Sequence, residues 1–248
     1  MEMRDALLEV ADDNLVLGHR VSEWCGHAPL LEEDLAMPNM ALDMIGTARS
    51  LYAYAAAVEG KGQSEDDLAY LRDERGYRNC LLVERPNGDF AHTMLKQLYF
   101  AAFMEPFWQA AQTSTDETIR GIAGKAAKEM SYHIRHAGEW VVRLGDGTDE
   151  SMARMAEAVS DLEPYRGELF ESSDAAQSVE KSGVFPKRAS IKPVWTATIN
   201  HVFAEAQLEL PEEGYAQVGG RVGRHTEALG HMLAEMQSVY RAHPGASW

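Results

Sequence analysis

Residues 115–147, TDETIRGIAGKAAKEMSYHIRHAGEWVVRLGDG, decide the fold class. Ile119, Ala123, Ala126, Met130 and Ile134 recur every three or four residues and lead on to Trp140, one face of a 3.6-residue helix. Thr115 or Asp116 can cap that helix, and Gly145-Asp146-Gly147 ends it. A helix this long needs long partners along its apolar face.

The rest of the chain offers them. A first helix runs from Ala6 with Leu7, Leu8, Ala11, Leu15, Val16 and Val21, until Gly26-His27-Ala28-Pro29 breaks it. A second starts near Glu33, turns Leu35, Met40, Leu42, Met44, Ile45, Ala48, Leu51 and Tyr52 inward, and stops at Gly60-Lys61-Gly62. A short helical piece over 66–72 leads into an irregular stretch, 73–86, that closes on the turn Pro86-Asn87-Gly88. Asp89 can cap a third helix carrying Phe90, Met94, Leu95, Leu98, Phe103 and Phe107, which Pro106 kinks or shortens.

After the 115–147 helix, a fifth spans roughly 150–170 with Met152, Met155, Val159, Leu162 and Leu169 on one side. Residues 172–185 read as a polar loop. A sixth helix begins near Pro193, a good first-turn residue, and buries Val194, Trp195, Ile199, Val202 and Phe203. The glycine-rich loop 211–223 precedes a last helix from about Thr226, with Leu229, Met232, Leu233, Met236 and Val239 inside. There is no strand alternation, repeat or linker, so the pattern predicts one all-α bundle. The twelve methionines fall mostly at core positions and read as packing.

Composition narrows the function. Lys plus Arg is 23 against 39 Asp plus Glu, a net charge of −16, which argues against nucleic-acid and acidic-membrane partners. The start, Met1-Glu2-Met3-Arg4-Asp5, lacks the basic-then-apolar order of a leader, and no apolar run approaches the ~20 residues of a bilayer span. Cys25 and Cys80 have no metal spacing, so reduced thiols in a cytoplasm are expected.

Long helices with inward acids raise the question of a carboxylate-bridged di-metal centre. That centre takes a Glu from each of two helices and a Glu-x-x-His from each of two others. Residues three before the nine histidines are Val16, Trp24, Asp89, Met130, His133, Thr198, Val222, Ala228 and Tyr240, so no Glu-x-x-His exists. The nearest approaches are Asp89 with His92, better read as a helix cap, and Glu129 with His133. At the ligand spacing from Glu129 stands Tyr132, and three residues after Asp43 stands Gly46. No nucleophile elbow, Walker loop or dinucleotide fingerprint occurs. Gly219-Gly220-Arg221-Val222-Gly223-Arg224 could receive a phosphate but follows no strand. Cys25 and His27 are two apart and poorly placed to face each other, so Glu23 to His27 reads as a helix terminus anchored by Trp24.

An ordered set of phrases then runs through the chain. It comprises Glu23-Trp24-Cys25-Gly26-His27-Ala28-Pro29 with Glu32, Asp34 and Leu42-Asp43, then Arg72-Asp73-Glu74-Arg75, Leu82-Val83-Glu84 and Pro86-Asn87-Gly88-Asp89-Phe90-Ala91. Tyr132-His133, Arg143-Leu144-Gly145-Asp146-Gly147-Thr148-Asp149, His225-Thr226-Glu227 and Leu233-Ala234-Glu235-Met236-Gln237 follow. Together, over essentially the whole chain, they resemble the PaaC family of the bacterial phenylacetyl-CoA epoxidase, also called ring-hydroxylating phenylacetate-CoA oxygenase.

The resemblance implies a ferritin-like helical bundle of four long core helices plus C-terminal helices, a single domain over 1–248. It implies that a related subunit, PaaA, carries the di-iron centre and binds the aromatic CoA thioester. PaaB joins the assembly, and the flavin and iron–sulfur reductase PaaE delivers electrons from NADPH. The complex uses dioxygen to epoxidise the ring of phenylacetyl-CoA. This chain would bind no metal or cofactor and supply no catalytic residue; it would support PaaA, with Tyr132 marking a vacated site. A homodimer is admitted when the chain is made alone. Two other readings set different residues to work: an active di-iron oxygenase or oxidase on Glu129, His133, Asp43 and Asp89, or a metal-free acyl-CoA-binding module on Arg221, Arg224 and His225.

Overall fold

A computed structural model describes residues 1–246; Ser247 and Trp248, the end of the expected 1–248 domain, lie outside the described residues. Among the described residues every regular element is helical and no strand forms. The chain divides into two compact units: Met1–Pro86 with Ser173–Ala176 and the segment from Gly219 on, and Asn87–Ser172 with Gln177–Val218.

The first unit is built on α1 (Glu2–Ser22) and α2 (Leu31–Glu59), which pack along their length. They come close at Gly18, where a Cβ would meet the Ile45 side chain at 2.9 Å. α2 ends as expected, because Gly60 takes the left-handed conformation (φ 67°) and its amide bonds back to Ala56. The stretch expected to be irregular holds structure of its own. After α3 (Glu65–Tyr70), capped reciprocally by Ser64 and Asp67, come a short 3-10 turn, Glu74–Gly76, and one turn of helix, α4 (Leu81–Glu84).

The second unit pairs α5 (Phe90–Ala111) with α6 (Glu117–Gly145), and α7 (Asp149–Arg166) packs on both. Asp89 and Asp116 cap α5 and α6 through their carboxylates, and Pro106 lies within α5, which continues to Ala111. The core between these helices is aromatic. Phe103 meets Phe107 and Phe170, Phe107 meets Phe185, and Trp195 meets Tyr99 and Phe170, with centroids 5.2–5.9 Å apart. The indole of Trp195 donates to the Tyr99 carbonyl at 2.9 Å.

Residues 172–185 are not the expected loop: they contain α8 (Asp174–Lys181). Its apolar stripe amounts to Ala176 and Val179, both buried, too little to stand out among polar neighbours. The Ser173 hydroxyl accepts from the Ala176 amide and so starts the helix. α9 (Lys192–Glu205) closes on α5 and α6, but its Val194 is 51% exposed rather than inward. The last expected helix is two, α10 (Glu227–Met236) and α11 (Ser238–Ala242), with Val239 exposed. Leu35 and Leu42 of α2 and Met152 of α7 also face solvent, contrary to expectation.

Candidate functional site

Glu129 and His133 share the interior edge of α6, as their four-residue spacing requires. His133 is fully buried, and its Nδ1 accepts from the Gln97 amide of α5 at 2.9 Å. Glu129 takes the Lys125 ammonium at 2.7 Å, one turn back on its own helix. Tyr132 does not stand in a vacated site. At about 100° per residue it points roughly 160° away from Met130, the centre of the buried face. It is 41% exposed, with Arg135 over its ring and His136 stacked beside it. α5 instead contributes a residue that sequence reasoning missed: Lys96 is buried, and its ammonium donates to Asn87 Oδ1 at 3.3 Å. No periodicity could have marked it, because α5 is buried on nearly its whole circumference.

These donors do not fit a di-iron centre. His133 offers one imidazole whose Nδ1 already holds an amide, Glu129 is tied to Lys125, and Lys96 and Gln97 stand on the facing helix. Among the described residues no group of three or more His, Cys, Asp or Glu is assembled that could hold a metal ion. Asp43 is half-buried on α2. Asp89 serves its helix: it caps α5, bonds His92 Nδ1 at 2.7 Å and faces Arg154 at 3.6 Å.

The acyl-CoA residues meet a different fate. Arg221 is 5% exposed and grips Asp13 bidentately, at 2.9 and 2.8 Å, while donating to the Arg78 carbonyl. Burial opposes its charge, but Asp13 more than restores it and raises the guanidinium pKa. The loop closes this tightly because Gly220 has no Cβ, which would collide with the Asn79 carbonyl. His225 donates from Nδ1 to Glu84 at 2.7 Å and from Nε2 to the Tyr77 carbonyl at 3.1 Å. With an acceptor facing each ring nitrogen, the site favours the imidazolium, which alone carries both N–H groups. Burial disfavours that charge, and the hydrogen bond and charge of Glu84 overcome it, raising the pKa above its ordinary value. Arg224 alone of the three is exposed.

Arg221 and His225 belong to a larger polar system inside the first unit. Asp12 accepts from the Tyr52 hydroxyl at 2.5 Å, from Arg72 and from the Arg78 amide at 2.7 Å. Asp13 also accepts from the Cys80 amide, and Glu84 from Asn79 and the Thr226 amide. Arg20 donates to the carbonyls of Glu84 and Ala228, and Gln237 to those of Ala69 and Arg72. Asp12, Asp13 and Glu84 are all within 2% of complete burial. Four of the phrases that drew the sequence resemblance, those holding Arg72, Glu84, His225 and Gln237, thus do structural duty. The thiol of Cys25 is exposed, and His27 reaches the Cys25 carbonyl rather than the sulfur. No described helix is long and apolar enough to cross a membrane.

Comparison with known proteins supplies the family. Residues 2–248 match the PaaA_PaaC family, described as phenylacetic acid catabolic protein. The chain is also 42% identical over 241 residues, 97% of each chain, to the C subunit of 1,2-phenylacetyl-CoA epoxidase from Escherichia coli (strain K12). The chain belongs to the phenylacetic acid catabolic protein family and shares its all-α, ferritin-like fold class.

Proposed function

We propose that this chain is the structural subunit of a multicomponent oxygenase that epoxidises the ring of phenylacetyl-CoA in aerobic phenylacetate degradation. It supports a catalytic subunit, PaaA, and holds neither metal nor CoA thioester itself. The di-iron centre belongs to PaaA, PaaB completes the assembly, and PaaE brings flavin, iron–sulfur cluster and NADPH-derived electrons. The isolated chain can pair with itself.

The carrying observation is that the two candidate donors of α6 are engaged by neighbours other than acids, His133 Nδ1 by the Gln97 amide and Glu129 by the Lys125 ammonium. A site that takes a divalent pair needs converging acids and free imidazole nitrogen. Here a neutral amide, that of Gln97, meets His133 from the facing helix. A scaffold of this kind acts by burying the catalytic subunit's apolar faces and fixing its helices from outside the metal's own ligands. The reading favours a scaffold over a CoA binder because Arg221 and His225 spend their charges on Asp13 and Glu84.

Size-exclusion chromatography of the chain mixed with PaaA tests the proposal. The expected result is one co-eluting species, with epoxidation of phenylacetyl-CoA by the full set of subunits and none by this chain with PaaE alone. Separate elution of the two subunits contradicts it.

A further inference from the structure

Two arginine-bearing motifs share a pattern that the buried network absorbs only in part. In Arg72-Asp73-Glu74-Arg75, Arg72 turns inward to Asp12, and Arg75, three residues on, is exposed. In Arg221-Val222-Gly223-Arg224, Arg221 turns inward to Asp13, and Arg224, again three residues on, is exposed. Arg75 and Arg224 line one open cavity of about 530 Å³ in the first unit, a volume ordinary for a small-ligand pocket. A third guanidinium stands behind its wall, with Arg78 Nη1 2.7 Å from where a Cβ on Gly223 would lie. The carbonyls of Arg75 and Tyr77 hold Arg78 there, each at 2.6 Å.

The chain carries a net charge of −16, yet among the described residues no carboxylate lies within ion-pair distance of Arg75 or Arg224. Glu74 is the one acid among the described lining residues, and its Oε2 sits 2.7 Å from where a Cβ on Gly230 would lie. Asp73 spends its carboxylate on the Gly76 amide at 3.0 Å. A cleft lined by one sign of charge draws the opposite ion. The frame is also fixed in advance. Arg221 on Asp13 and His225 on Glu84 anchor both ends of the loop, and Arg72 on Asp12 anchors the other wall.

We propose that this cavity binds a phosphoryl group, free or carried on a small polar molecule, through the guanidinium groups of Arg75 and Arg224. The planar fork of arginine offers paired N–H donors, and a phosphoryl group has three acceptor oxygens to share between two such forks. The loop's own amides do not serve, because those of Gly223 and Arg224 donate to the carbonyls of Gly220 and Gly219 at 3.0 and 2.9 Å. Among the described residues that line the cavity, Val222 alone carries an apolar side chain. The site therefore offers no wall to an acyl chain or an aromatic ring, and it stands independently of the scaffold assignment.

Calorimetric titration of the full chain with inorganic phosphate, at constant ionic strength in chloride, tests this. Saturable one-site binding is expected. Arg75→Gln and Arg224→Gln should each weaken it about tenfold, the loss of one charge-assisted contact, with an unchanged thermal melt. Glu74→Gln should tighten it a few-fold, since it removes the opposing charge. Absence of saturation below about 10 mM overturns the proposal. So does binding that survives both arginine substitutions undiminished, or equal affinity for malonate, a dianion without a phosphoryl group. Glycerol phosphate separates the two sources: tighter binding than inorganic phosphate supports an ester, equal or weaker binding supports the free ion, and either upholds the phosphoryl site.

Discussion

The two units of this chain hold their interiors together by opposite means. In the first, Asp12, Asp13 and Glu84 are buried and satisfied by Arg72, Arg221, His225 and backbone amides up to 208 residues away. In the second, rings of Tyr99, Phe103, Phe107, Phe170, Phe185 and Trp195 fill the core, with the Gln97–His133 pair among its buried polar contacts. A charged network loses most when one member goes, because the survivor stays buried without its partner. An aromatic core loses area and contact in proportion to what is cut away. The difference also separates position from chemistry. Inward acids in a long-helix bundle invite a metal, yet here they hold chain segments together.

The largest effects expected are at the Asp13–Arg221 pair and at Trp195. Arg221→Leu leaves Asp13 buried without its cation and should cost about 3–5 kcal/mol in urea unfolding. The double variant Asp13→Leu/Arg221→Leu should recover most of that, short of the hydrogen bond lost at the Cys80 amide. In the second unit Trp195→Ala should cost a similar amount, about 3–5 kcal/mol, with no second-site rescue of this kind. Equal losses in the single and double Asp13–Arg221 variants would break the contrast.

The pH profile sharpens it. His225 has a folded-state pKa above its ordinary 6.5. Its stabilisation is present in full below pH 6.5 and lost as pH rises through the folded value. His19 behaves oppositely: burial lowers its pKa to about 4, and its shielded Nε2 makes no hydrogen bond. Its stabilisation is full above pH 6.5 and lost as pH falls from there through about 4. Unfolding midpoints should therefore peak near pH 6.5. His225→Gln should flatten the alkaline limb and His19→Leu the acid limb, whereas Trp195→Ala should lower the curve without changing its shape.

The smallest of these effects lies at the closed pair in the second unit. Gln97→Leu leaves His133 Nδ1 buried without its donor and should cost about 1–3 kcal/mol. Removing both polar groups in Gln97→Leu/His133→Leu should restore most of it. A double variant no better than the single one would show that His133 has a second partner of comparable weight.

How much of this was legible follows from how far each cause reaches along the chain. The start of α6 at Asp116 and the end of α2 at Gly60 depend on a few neighbouring residues, and both appear in the sequence pattern. The same holds for the absence of Glu-x-x-His. Burial of Asp12 and Asp13 does not, because it depends on Arg72 and Arg221, 60 and 208 residues on. Leu35 and Leu42 misled in the other direction, since hydrophobicity signals burial only when something covers the face. Tyr132 had the spacing of a ligand, but the buried side of α6 is centred on Met130, and spacing alone carries no direction. α8 was hidden by its short stripe, Ala176 and Val179.

Metal content of the isolated chain bears most directly on the scaffold assignment. The protein would be loaded anaerobically with ferrous iron, desalted, and its iron counted per chain. The scaffold reading requires less than about a tenth of an iron per chain, whereas a working ferritin-like centre holds about two. A value near two would make Glu129 and His133 ligands of a functioning site and contradict the scaffold reading.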